Sequence, residues 1–242
     1  MPNRFLALAL LFFSSLGNAA AALTVTDLGS AVQLATPELT VTVDKVTFHL
    51  SVADASATTI LAEAPGSPNG SLAYFRGANE FRVTQVNSFL QSGDRVDFTC
   101  GTSEGPTATV SVRFPDDGSF FVELAPLSPA TVTEAAETFV APAGERYYGL
   151  TERIVGSDGS LGVMSELAPQ AVGSLDRRGE LVKMSVAATI SIYAPFFHAS
   201  NGYGVFVDGP MQGSVDLAKT VSDRLTMRFN FEPGAGSFRY WV

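Results

Sequence analysis

Apolar and polar residues alternate with a period of two along most of this chain, the pattern of antiparallel strands that bury one face and expose the other. Phe48, Leu50 and Val52 alternate with Thr47, His49 and Ser51. Ala108, Val110, Val112 and Phe114 alternate with Thr107, Thr109, Ser111 and Arg113. A turn at Pro115, Asp116, Asp117 and Gly118 then leads into Phe120, Val122 and Leu124, which predicts a hairpin. Val182, Met184 and Val186 continue toward Ile190 and Ile192, and Leu225, Met227, Phe229 and Phe231 form the cleanest late strand. Further strands are expected over residues 39–43, 81–86 and 204–207.

Only two short segments have helical composition, residues 130–138 and 216–224, and neither is long enough to dominate a domain. Nine or more strands separated by Gly, Pro, Asn and Asp predict an all-β chain, a large antiparallel β-sandwich with few short helices. Residues 62–72 are expected to form a loop within this sheet, since strands resume directly after it.

The first 22 residues stand apart from this pattern. Arg4 precedes an apolar run from Phe5 to Phe13, and small residues around Ala19 to Ala22 offer cleavage sites, so residues 1–22 are expected to be a signal peptide and residues 23–242 one domain. Ser14, Ser15 and Asn18 interrupt the run well short of the ~20 residues that a span requires. The expected product is periplasmic or secreted, with no membrane contact after cleavage.

Composition narrows the partners. A formal charge of −9 with no basic run argues against nucleic acid, because a phosphate backbone would be repelled. The single Cys100 cannot form an internal disulfide and shares the apolar parity of Val96 and Phe98, so a buried, inert thiol is expected. Two distant histidines and no clustered acids do not match zinc spacing; no metal and no cofactor is expected. His49 lies on the polar parity of its strand. Asp116, Asp117 and Gly118 are explained by a turn, and Asn69-Gly70-Ser71 matches the glycosylation acceptor pattern.

Three ordered segments carry a resemblance. Residues 144–153 read GERYYGLTER, residues 175–179 LDRRG, and residues 193–206 YAPFFHASNGYGVF. Together they resemble the N-terminal β-sandwich of glycoside hydrolase family 31, the α-glucosidases and α-xylosidases, and residues 39–52 look like that domain's opening hairpin. Thr151 stands where the family usually has glycine, and residues 184–188 (MSVAA) replace a segment that often reads close to W-N-x-D. The resemblance implies a galactose-mutarotase-like supersandwich that packs on a (β/α)₈ barrel holding the catalytic carboxylates. Such a barrel needs about 250 residues, so it is expected outside this chain, which by itself is expected to be inactive and to hold no catalytic residue.

The resemblance also implies roles for individual residues. Glu145, Arg146, Glu152 and Arg153 would make ion pairs near the junction with the barrel. Phe196, Phe197 and His198 would lie at the same junction, although aromatic packing could equally place them in the core. An apolar patch is expected around Tyr193, Pro195, Phe196, Phe197, Tyr147 and Tyr148, flanked by Arg146, Arg153 and Arg177. Phe196 and Phe197 point to opposite faces if extended, so alternation alone does not separate interface from core. Asp176 and Arg177 are candidates for contact with an α-linked sugar of the complete enzyme, since a carboxylate accepts from hydroxyls and a guanidinium donates to them. The alternatives are a free-standing carbohydrate-binding sandwich and, less favoured, a mutarotase-like sugar epimerase, which would need a histidine acid facing a carboxylate base.

Overall fold

The structure is a computed structural model that describes residues 22–65, 70–150, 175–184, 194–231, 234 and 236–242. The first 21 residues, the Asn69 position and the expected strand residues Val186, Ile190 and Ile192 lie outside the described residues.

The first five strands form a meander. β1 (Thr24–Asp27), β2 (Ala31–Ala35), β3 (Leu39–Asp44), β4 (His49–Asp54) and β5 (Thr59–Ala62) pair in sequence order, each antiparallel to the next. Alternation explains its faces: Val32, Leu34, Val41, Val43, Leu50 and Val52 are buried, and Thr40, Thr42 and Ser51 lie between them on the other side.

The other thirteen described strands form one continuous antiparallel ladder. They are β6 (Ala73–Arg76), β7 (Asn79–Ser92), β8 (Arg95–Thr102), β9 (Thr107–Arg113), β10 (Phe121–Pro126), β11 (Glu134–Val140), β12 (Tyr147–Gly149), β13 (Glu180–Met184), β14 (Phe196–Ala199), β15 (Gly204–Val207), β16 (Gly213–Leu217), β17 (Arg224–Asn230) and β18 (Phe238–Trp241). Their spatial order is β12-β14-β15-β18-β10-β9-β8-β7-β6-β11-β17-β16-β13.

The long strand β7 is what turns this ladder into a sandwich. Its first residues pair with β6 and those from Val83 onward with β8, and the register with β8 shifts twice, at Val83/Val86 and Val86/Ser88. Each irregularity bends the strand and adds twist, so the two halves of the ladder close on each other. Their inner faces meet directly. The Phe139 ring of β11 lies 5.9 Å from the Tyr240 ring of β18, edge to face.

The expected strands over residues 39–43, 81–86 and 204–207 fall on observed strands, and those over 48–52, 107–114, 120–124 and 225–231 match β4, β9, β10 and β17 except at Phe48, Phe114, Phe120 and Phe231, which lie just outside them; the hairpin is β9 to β10. Both helical expectations are corrected. Residues 129–131 make one 3-10 turn, and β11 begins at Glu134. Asp216 belongs to β16, and its carboxylate then accepts from the backbone N–H groups of Lys219 and Thr220, which closes a turn instead of starting a helix. Cys100 is buried as expected, and burial pushes its thiol up to about 12.

The core at the junction of the two sheets is aromatic. Phe98 of β8 is fully buried between Phe48, at 6.2 Å, and Phe89, at 6.1 Å. Phe98→Ala is expected to lower the unfolding free energy by about 3–5 kcal/mol, since a rigid shell collapses only partly into the cavity. Thr99→Ala, one residue along on the exposed face, should stay within about 0.5 kcal/mol of wild type. Urea unfolding followed by fluorescence checks both.

Candidate functional site

The three segments that carry the resemblance come together at one end of the ladder. β12 pairs with β14, so Tyr147 faces Ala199, Tyr148 faces His198 and Gly149 faces Phe197. Gly149 is required here: its φ is +105°, and a Cβ would meet the Phe196 carbonyl oxygen at 2.7 Å.

Alternation divides the aromatic residues between two faces. Tyr147 and Phe197 point inward, are fully buried and meet edge to face with centroids 6.1 Å apart. Phe197 thus lies beneath the sheet, while its neighbours Phe196 and His198 are exposed on the outer face. Arg146 is exposed, and Glu152, Arg153 and Tyr193 lie outside the described residues.

The register continues the outer face into a row. Phe196 of β14 faces Phe206 of β15, Phe206 faces Trp241 of β18, and Trp241 faces Phe121 of β10. Phe196 and Phe206 are 46% and 38% exposed, large values for phenylalanine on a sheet. Tyr148 stacks on His198 at 5.3 Å, and the Arg239 guanidinium lies 5.3 Å from the Phe121 centroid while its Nε donates to Asp208 at 2.7 Å. Four strands therefore carry an aromatic row, exposed at Phe196 and Phe206 on β14 and β15 and buried at Phe121 on β10, beside the ion-paired Arg239.

Asp176, Arg177 and Arg178 pin the edge of β12. One Asp176 carboxylate oxygen accepts from the backbone N–H groups of Tyr147 (3.1 Å) and Arg178 (3.0 Å), and the Arg177 N–H donates to the Tyr147 carbonyl at 2.8 Å. The Arg177 side chain is buried and lies 3.5 Å from Glu180. Arg178 donates to the carbonyls of Ala141, Glu145 and Ser222 and covers the Tyr147 ring. Glu145 is buried rather than ion-paired at the surface. Tyr147 donates its hydroxyl proton to Glu145 at 2.5 Å, and burial raises the Glu145 carboxyl despite that bond.

Two acids that sequence reasoning passed over are buried more deeply still. Glu137 of β11 is completely buried, and Glu63, just past β5, is 4% exposed. Both sit at positions that alternation assigns to the core, and a single polar residue at such a position gives no sequence signal of its own. Neither is open to a substrate. Among the described residues no group of three or more His, Cys, Asp or Glu is placed to hold a metal.

No family model matches the chain, and no curated protein matches it. Solved structures do match its fold, and they include GH31 enzymes. A GH31 α-xylosidase from a soil metagenome, solved with xylose, aligns at 16% identity and a TM-score of 0.51 over 92% of this chain and 24% of its own. An uncharacterised Listeria monocytogenes protein aligns at 17% identity and a TM-score of 0.52 over 91% of this chain and 15% of its own. A GH31 dextranase from Flavobacterium johnsoniae aligns at 13% identity and a TM-score of 0.47 over 93% of this chain and 20% of its own. The chain has the β-sandwich fold of the aligned parts of the α-xylosidase and the Listeria protein, and it spans a quarter or less of the length of these three proteins.

The Asp176 clamp yields a direct expectation. Asp176→Ala removes the acceptor of two backbone N–H groups and should lower stability by about 1–3 kcal/mol, whereas Asp176→Asn, which keeps an acceptor oxygen, should lose less than half of that. Urea midpoints of the two variants check it.

Proposed function

We propose that this chain is the N-terminal, non-catalytic sandwich of an exported family 31 α-glycosidase, and that the outer face of β12, β14, β15 and β18 is where a (β/α)₈ barrel packs. The observation that carries the reading is the Phe196–Phe206 end of the aromatic row: both rings lie on a segment of the sequence resemblance, and both are exposed where a soluble domain would ordinarily be polar. Phe196, His198, Tyr148 and Arg146 would make the contact. Phe197 and Glu145 would support it from beneath. Export rests on the leader-like residues 1–22 and places the enzyme in the periplasm or outside the cell.

In this reading the complete enzyme hydrolyses O-glycosyl bonds of α-linked sugars, with its two carboxylates on the barrel. Asp176 and Arg177 shape the loop beside the strip, and their direct contact with sugar rests on the resemblance alone. The exposed rings also favour a second reading, a carbohydrate-binding face, since flat aromatic surfaces with polar tips stack on sugar rings.

Separate Phe196→Ser and Phe206→Ser variants distinguish the readings from each other and from a core role. Under the first reading, both variants lose self-association, or binding to a separately expressed barrel, and keep their urea midpoints. Phe197→Ser instead should lose several kcal/mol of stability, as a buried polar substitution does. Calorimetric binding of α-linked oligosaccharides by wild type, abolished in both strip variants, would favour the second reading. Hydrolysis of aryl α-glucosides by the purified chain, lost on mutating one of its own carboxylates, would overturn the non-catalytic assignment.

A further inference from the structure

The junction between the five-stranded sheet and the sandwich is built over two acids. Beyond β5, Glu63 bridges to Phe139 of β11, its N–H donates to the Leu50 carbonyl at 2.8 Å, and the Ala64 N–H donates to the Thr138 carbonyl at 2.8 Å. The two side chains are thereby carried into the same part of the core. Glu137 is well supplied with donors: Ser71 Oγ at 2.7 Å and the Thr138 N–H at 2.7 Å on one oxygen, and the Tyr240 hydroxyl at 3.5 Å on the other. Glu63 has less. Its Oε2 accepts from the Leu50 N–H at 3.0 Å, and its Oε1 is buried with no donor among the described residues.

We infer that Glu63 and Glu137 share a single proton, carried by Glu63 and donated to Glu137, and that this proton latches the five-stranded sheet to β11. Two ionised carboxylates without a cation are not sustainable in a dry core, because desolvation and mutual repulsion both favour neutralising one of them. Among the described residues the groups acting on the pair are Ser71, the Leu50 and Thr138 N–H groups, Tyr240 of β18 and Cys100 of β8, and none of these is cationic. Donors surround Glu137 and none of the described residues donates to Glu63 Oε1, so Glu137 is the member suited to hold charge and Glu63 the member that needs the proton. A donor-rich site of this kind also suits a proton better than a metal ion, which would require lone pairs from its neighbours.

The titration agrees with the geometry. Burial and the charge of Glu137 raise the Glu63 carboxyl well above its ordinary value, and burial raises Glu137 to about 7. Two such groups titrate as a pair. The native chain then holds protons that the unfolded chain releases near the ordinary glutamate value, so stability falls as pH rises through and beyond neutrality. Each extra proton held by the native state changes the folding equilibrium by about tenfold per pH unit in that window.

The test compares the full chain with its Glu63→Gln variant, whose amide donates permanently where the shared proton would. Glu145 is also raised by burial and titrates in the same direction, so both are made in a Glu145→Gln background. Urea unfolding between pH 5 and pH 9 should show the midpoint of the Glu63 chain falling as pH rises, and that of the Glu63→Gln chain falling much less. At pH 8 the amides of Leu50 and Ala64 should exchange faster in the Glu63 chain than in Glu63→Gln, with Val112 of β9 less affected. Equal pH slopes in the two chains would refute the shared proton, and an equal exchange difference at Val112 would refute a latch at this junction. Should Glu63→Gln fail to fold, infrared spectroscopy of the Glu145→Gln chain decides: a protonated-carboxyl band at pH 7 that disappears at higher pH supports the proton, and its absence overturns it.

Discussion

Everything in this molecule depends on one strand joining the two halves of the thirteen-stranded ladder. β7 has fourteen residues, and neither of its ends shares a partner with the other: β6 takes the beginning and β8 the end. A flat ladder of thirteen strands would leave one apolar face in water. The two register shifts near Val83 and Val86 let the strand bend, and only then do Phe139, Tyr240, Phe98 and Phe48 acquire a common interior. The buried acids and the outer aromatic strip are both by-products of where that closure puts each face.

The fold class was legible because the side-chain period of a strand is simple. β3, β9, β10 and β17 are read directly from alternating Val, Leu, Met and Phe, and the structure buries those residues. β11 was not legible. Its inward residues are Ala135, Glu137 and Phe139, so a carboxylate occupies the middle core position and Ala and Thr blur the rest. Glu63 escaped notice for the same reason, since alternation registers a polar residue at a core position only as an interruption.

The candidate site was legible in part. Its segments were found through resemblance, and alternation stated that Phe196 and Phe197 face opposite ways. Which of them faces inward is decided by Tyr147 across the core, which local sequence does not express. The strip was less legible still. Phe121, Phe206 and Trp241 come from three separated stretches of chain, and only the pairing of β10, β15 and β18 brings them into one row. The loop at Asp176 illustrates a different limit: acids and arginines next to each other suggest ligand contacts, whereas here an Asp176 oxygen accepts from two backbone N–H groups and Arg178 donates to three carbonyls of the chain itself.

β18 is the last strand of the chain, yet it lies inside the ladder, between β15 and β10. The residues it joins to Phe121 and Val122 are more than a hundred positions away in sequence. On a ribosome, β10 would emerge with an unpaired edge and wait for most of the remaining domain to be synthesised. Long-range pairing of this kind is slow and leaves sticky edges exposed in the meantime. The order of synthesis thus sets a period of vulnerability, ended when Phe238, Arg239, Tyr240 and Trp241 slide into the gap that β15 and β10 leave for them.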